Sequence, residues 1–150
     1  MPKPKSKRSK SKTVTSDKAH LYHLDTDFLV FAVSVRGREQ TRMEALLASD
    51  VKMEISAIAW YEFARGPRTP EQLAVARDLF DARGVIPFSE RLAEASADQF
   101  RKLGSPRKRA ADIAIGVTAR ARGAMLLTRN ARDFAGIDDL RVEECLLRQG

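Results

Sequence analysis

Apolar positions fall in short runs that alternate between strand and helix character. His20–Leu24 reads as a strand that ends at Asp25. After a turn at Asp25-Thr26-Asp27, the apolar run Phe28–Val35 opens a helix, which Arg36-Gly37 breaks. Glu39–Ala48 carries Met43, Leu46 and Leu47 on one face and reads as a second helix. Val51–Ser56 reads as a strand, and Ser56 is placed to cap a helix over Ala57–Arg65 that Gly66-Pro67 stops. Thr69-Pro70 opens another helix. Gly84–Phe88 is a short strand, and Ser89 caps a helix running to about Leu103. Arg107–Arg122 reads as a helix, Ala124–Thr128 as a strand, Ala131–Phe134 as a short helical piece and Leu140–Val142 as a last strand. Alternating strands and helices predict an α/β domain with a mainly parallel sheet. In such sheets ligands bind beyond the carboxyl ends of the strands, which directs attention to the residues there.

Length and composition narrow this reading. The chain has 150 residues, enough for one domain with a core of its own. One cysteine, Cys145, excludes a disulfide framework and a multi-cysteine zinc site. No run of about 18 apolar residues occurs, so no membrane span is expected. The basic start is not followed by an apolar stretch, unlike a secretory signal, so a cytoplasmic protein is expected. The net charge of +7 is uneven: residues 1–19 contain seven Lys and Arg against one acid, Asp17. The rest of the chain is nearly balanced. This Lys-, Ser- and Pro-rich segment is expected to be a disordered basic tail, either simply solvated or binding phosphate backbones with little sequence preference. Residues 20–150 are expected to form the folded domain.

Four acids stand where a strand–helix pattern would not need them. Asp25 follows the first strand; a turn or capping role is the plain alternative. Glu62 sits in Ala57–Ala64 with apolar neighbours on every helical face, which predicts a buried carboxylate needing a strong partner, a proton or a metal. Pairing with Arg65, one turn on, is the plain alternative. Asp112 opens another apolar helical stretch, where a helix-dipole role is the alternative. Gly116, one turn later, predicts close packing. After Ala124–Leu127 come Thr128, Asn130 and Asp133, all able to present oxygen ligands. Acids from different elements meeting in one crevice require cations. All-oxygen ligation suits Mg²⁺ or Mn²⁺, and carboxylate-held Mg²⁺ with open water positions suits phosphodiester hydrolysis.

These pieces resemble the PIN-domain ribonucleases, especially the VapC-type toxins of bacterial toxin–antitoxin pairs. The matching segments are His23–Asp27, Ile55–Ala57 with Tyr61–Gly66, Ala111–Ile115 and Leu126–Phe134, in order along residues 21–142. The resemblance implies a three-layer α/β/α fold around a parallel sheet and metal-dependent endonucleolytic cleavage of RNA. It places the catalytic acids on Asp25, Glu62 and Asp112, with these and Asp133 holding Mg²⁺ or Mn²⁺. Asn130 stands where some members carry a fourth acid, and Thr128 matches a hydroxyl after the strand. Asp27 stands where many members carry Asn. Thr128, Asn130 and Arg109 are candidates for contact with nucleic acid; a solvated basic turn is the alternative for Arg107–Arg109. The resemblance further implies a homodimer and a cognate antitoxin.

Two other readings fit parts of the pattern. Asp25-Thr26-Asp27 after a strand matches the Asp-x-Asp of haloacid-dehalogenase-like phosphatases, but Leu29 replaces their Thr or Val and residues 53–101 contain no lysine. A PIN-fold binding or RNA-processing protein would keep the fold and use the tail. Trp60 and Tyr61 are expected to be core or dimer contacts, and Cys145 structural.

Overall fold

The computed structural model describes residues 19–145. The expected basic tail therefore lies outside the described residues, apart from Ala19, as does the end of the domain beyond Cys145. Five strands form one parallel sheet: β1 (Leu21–Leu24), β2 (Lys52–Ser56), β3 (Val85–Ile86), β4 (Met125–Thr128) and β5 (Arg141–Glu144). Their order is β3-β2-β1-β4-β5. Six helices connect them: α1 (Thr26–Ser34), α2 (Arg38–Leu47), α3 (Ala57–Ala64), α4 (Pro70–Asp78), α5 (Glu90–Lys102) and α6 (Ala110–Ala121).

The strand order fixes the layers. From β1 the chain moves to β2 and β3; it then crosses back to β4 and continues to β5. With right-handed crossovers, these opposite directions put α1–α4 on one face and α5 and α6 on the other. The packing agrees: α1 touches α2, α3 and α4, whereas α6 packs on α5. The expected α/β/α architecture is thus present. Leu24, Phe28, Leu29, Ile55, Phe63, Ile115, Leu126 and Leu127 are all fully buried in the core.

Boundaries differ from the sequence reading where side chains, not periodicity, decide them. The Asp25-Thr26-Asp27 turn is instead the start of α1, because the Asp25 carboxylate accepts from the Thr26 N–H at 2.8 Å. Arg107–Arg109 is a 3-10 turn that precedes α6 and is not part of it. The strand expected over Gly84–Phe88 shrinks to two residues at the sheet edge. The last strand starts one residue later than expected and runs on to Glu144. Ser56 caps α3 through the Ala59 N–H at 3.0 Å, as its position implies.

Polar side chains stitch the sheet to its helices. His23 Nδ1 lies 2.8 Å from Glu54 Oε2 across the β1–β2 pair, with both residues buried. Arg122, beyond α6, donates to the same carboxylate. Burial alone would raise the Glu54 pKa, but the His23 and Arg122 hydrogen bonds hold it below the usual carboxylate range. His23 is thereby committed to the core.

Candidate active site

The chain leaves β1 toward one side of the sheet and β4 toward the other, so the crevice opens at the carboxyl ends of these two neighbours. Asp25 directly follows β1 and caps α1, and Thr128 ends β4. The Asp25 N–H donates to the Leu127 carbonyl at 3.0 Å, and Thr128 Oγ1 donates to Asp25 Oδ2 at 2.8 Å. Asp25 is only 6% exposed. Burial pushes its carboxyl up to about 7, with the Asp112 and Asp27 charges adding to the rise and the Thr128 and Thr26 hydrogen bonds opposing it.

Asp112 arrives from the first turn of α6. Burial, followed by the charges of Asp133, Glu62 and Asp27, pushes it to about 6 against the pull of Arg109. Glu62 arrives from α3, where Thr26 Oγ1 donates to its Oε1 at 2.8 Å. One expectation about Glu62 is corrected, and one alternative falls. It is half-buried, because α3 leaves one side open and Tyr61 is 61% exposed. Arg65 does not pair with it; its guanidinium stands 5.1 Å above the Tyr61 ring instead. An apolar helix that is short and lies at a cleft edge need not be covered all round.

Asp133 is carried by a 3-10 turn over Ala131–Phe134, which Asn130 caps by accepting from the Arg132 N–H at 3.3 Å. Asn130 Nδ2 also donates to Asp133 Oδ1 at 3.2 Å. The turn is strapped to α6 by Arg109, whose guanidinium donates to the Asp133 and Ala135 carbonyls. It is pressed there by Gly116, where a Cβ would come within 2.6 Å of Ile137 Cδ1. The close packing expected at Gly116 is what brings Asp133 to the face of α6.

The result is a cleft of about 330 Å³ lined by Asp25, Asp27, Glu62, Asp112 and Asp133, with Thr26, Val30, Arg65 and Arg68 completing the wall. The four acids predicted from sequence therefore meet in one place. Asn130 and Thr128 stand behind it, holding Asp133 and Asp25, and Arg109 is engaged with backbone carbonyls. Three contributors were not singled out from sequence: Thr26, Arg68 and the Arg65 side chain as part of the cleft wall. The hydroxyl directly after Asp25 was the available signal for Thr26; for Arg68 there was none.

Among the described residues no three His, Cys, Asp or Glu side chains form a ready-made cage for a metal. The acids share a cleft without closing on a point, and the neighbouring charges add to the raised proton affinity of Asp25 and Asp112. The donor set is nonetheless all oxygen, anionic and not neutralised by an ion pair among the described residues, the chemistry that hard divalent cations satisfy.

The PIN domain family model matches residues 22–140, and the chain belongs to that family. A toxin–antitoxin complex from Klebsiella pneumoniae is similar at 28% identity over 85% of this chain and 99% of that one, with a TM-score of 0.64. VapBC from Salmonella typhimurium, bound to DNA, shares the fold at 24% identity over 83% and 98%, TM-score 0.64. VapBC2 from Rickettsia felis, bound to a promoter DNA fragment, does so at 24% identity over 83% and 98%, TM-score 0.61. No curated protein matches the chain.

Proposed function

We propose that this protein is a divalent-metal-dependent endoribonuclease acting as the toxin of a toxin–antitoxin pair. The observation that carries this reading is the convergence of Asp25, Glu62, Asp112 and Asp133, from four separate elements, on one cleft of a PIN fold. The similarity to the Klebsiella pneumoniae toxin–antitoxin complex supports the partner class, a cognate antitoxin. No helix among the described residues is long and apolar enough to cross a membrane. A homodimer and a cytoplasmic site of action belong to the same proposal.

Asp25 and Asp112 would hold Mg²⁺ or Mn²⁺, with Glu62 sharing the role or polarising the attacking water, and Asp133 supplying an outer contact. The bound ion would supply a water acidic enough to attack phosphorus near neutral pH and would neutralise charge on the leaving oxygen. This chain's own residues position those groups. Thr128 fixes one oxygen of Asp25, and Thr26 fixes one of Glu62. Arg109 and Asn130 keep the Asp133 turn against α6. Burial of Asp25 keeps bulk water from competing for its carboxylate.

The test incubates purified, antitoxin-free protein with total RNA in Mg²⁺, Mn²⁺ or EDTA, beside Asp112→Asn. Discrete cuts that both EDTA and the substitution abolish are expected. Cleavage that persists in EDTA overturns the metal-dependent reading. Absence of cleavage by folded protein with either metal overturns the nuclease reading in favour of a binding protein.

A further inference from the structure

Arg65 and Arg68 are the two basic side chains among the described residues that line the acidic cleft. Five carboxylates face them across the same space, yet neither guanidinium forms an ion pair with any of these. Each is held away by an aromatic face. Arg65, exposed at the end of α3, stands over Tyr61 at 5.1 Å. Arg68 stands 5.0 Å above the Phe63 ring, and its Nε donates to the Phe63 carbonyl at 3.2 Å. Gly66 makes room for this: a Cβ there would lie 2.8 Å from Arg68 Nη2. Stacking and one backbone hydrogen bond thus fix the guanidinium of Arg68 through its face and its Nε, which leaves the terminal nitrogens for another acceptor.

The cleft therefore has an anionic floor and a cationic rim. A single small anion would satisfy the rim alone. A phosphodiester chain would satisfy both, because one phosphate could lie over the floor once a divalent cation is held there, while its neighbour meets the guanidiniums. We propose that Arg65 and Arg68 form a subsite for the backbone phosphate next to the scissile one. The subsite supplies ground-state affinity for single-stranded RNA, with Arg68 held ready by Phe63 and Gly66. This rests on the nuclease reading above, and phosphate contacts of this kind position a strand without reading its sequence.

The test compares wild type with Arg65→Ala, Arg68→Ala and Gly66→Ala on a cleavable RNA oligonucleotide. Thermal melts confirm that each variant folds. KM is expected to rise about 5- to 10-fold for each Arg→Ala change, with kcat within about twofold, as removal of a charge-assisted phosphate hydrogen bond implies. The slope of log affinity against log salt should become shallower by about 0.7 for each phosphate no longer neutralised. Gly66→Ala removes no charge and should still raise KM, about threefold, by displacing Arg68. Arg65→Lys should recover part of the affinity. Unchanged KM and salt slope in both Arg→Ala variants overturn the subsite. Fluorescence anisotropy with uncut single-stranded RNA, in an Asp112→Asn background, separates the two readings. If wild type cuts nothing but binding still depends on Arg65 and Arg68, the nuclease reading falls and the two arginines remain only as a contact for backbone phosphate. If binding ignores both residues, the subsite falls whatever the enzyme does.

Discussion

Thr128 Oγ1 donates to Asp25 Oδ2 at 2.8 Å and so ties the carboxyl end of β4 to that of β1. The two residues are 103 positions apart in sequence, and both are buried. The bond orients a carboxylate that burial would otherwise leave poorly satisfied, and it favours the ionised form. Thr128→Val keeps the shape and removes the donor. We expect it to destabilise the fold by about 1–2 kcal/mol. Cleavage rate should fall about tenfold near pH 7 and recover partly at higher pH, whereas Thr128→Ser stays near wild type. A pH–rate profile of the three proteins checks this.

Metal-free protein should lose stability as pH rises from about 4 to about 7. Asp25 and Asp112 have folded-state pKa values of about 7 and about 6, both above the ordinary carboxylate value. In that window the folded state holds more protons than the unfolded one, so the slope of stability with pH is negative, flattening above about pH 7. Melting temperatures in EDTA, at intervals from pH 5 to pH 8, should show this trend, and Asp25→Asn should weaken it. Added Mg²⁺ or Mn²⁺ should restore stability most at the upper end, where the carboxylates are ionised. An EDTA profile of Asp25→Asn with the same slope as wild type would contradict the assignment.

Glu54 has the opposite role. It is a buried carboxylate held ionised by His23 and Arg122, remote from the cleft wall. Removing it leaves a fully buried imidazole without its partner. Glu54→Ala should cost about 3 kcal/mol, as measured by denaturant unfolding, with Glu54→Gln less damaging. The stability this carboxylate contributes is present above its unfolded pKa and is lost as pH falls through its lower folded value.

Gly116→Ala should act at a distance. The added methyl meets the Ile137, Leu140 and Phe134 side chains, all in or beside the segment that carries Asp133. Overpacking of this kind costs about 1–3 kcal/mol. The Asp133 turn should shift away from α6, and metal affinity measured by calorimetry should fall although no acid has been removed. Unchanged affinity would mean that Asp133 lies outside the ligand set.

The pattern of the chain was sufficient for the alternation of strands and helices, because period-two and period-3.6 burial leave separate marks on a sequence. It was also sufficient for the acids. Asp25 stands directly after an apolar strand, and Asp112 opens a helix whose next turns are apolar, so each carboxylate was visible against its surroundings. Glu62 was found by the same contrast but for a reason that did not hold: its helix is open on one side, and Thr26, not burial or Arg65, holds the carboxylate.

Tertiary structure alone decided how these residues meet, and what holds them. Strand order sets β1 beside β4, and this adjacency makes Thr128 a partner of Asp25. The bare backbone at Gly116 lets the Asp133 turn reach α6, and the bare backbone at Gly66 lets Arg68 lie over Phe63. His23 pairs with Glu54 only because two strands lie in register. Periodicity is a local property, written in neighbouring residues. Hydrogen bonds and ion pairs between distant segments arise only once the whole chain is packed, and the sequence carries no local mark of them.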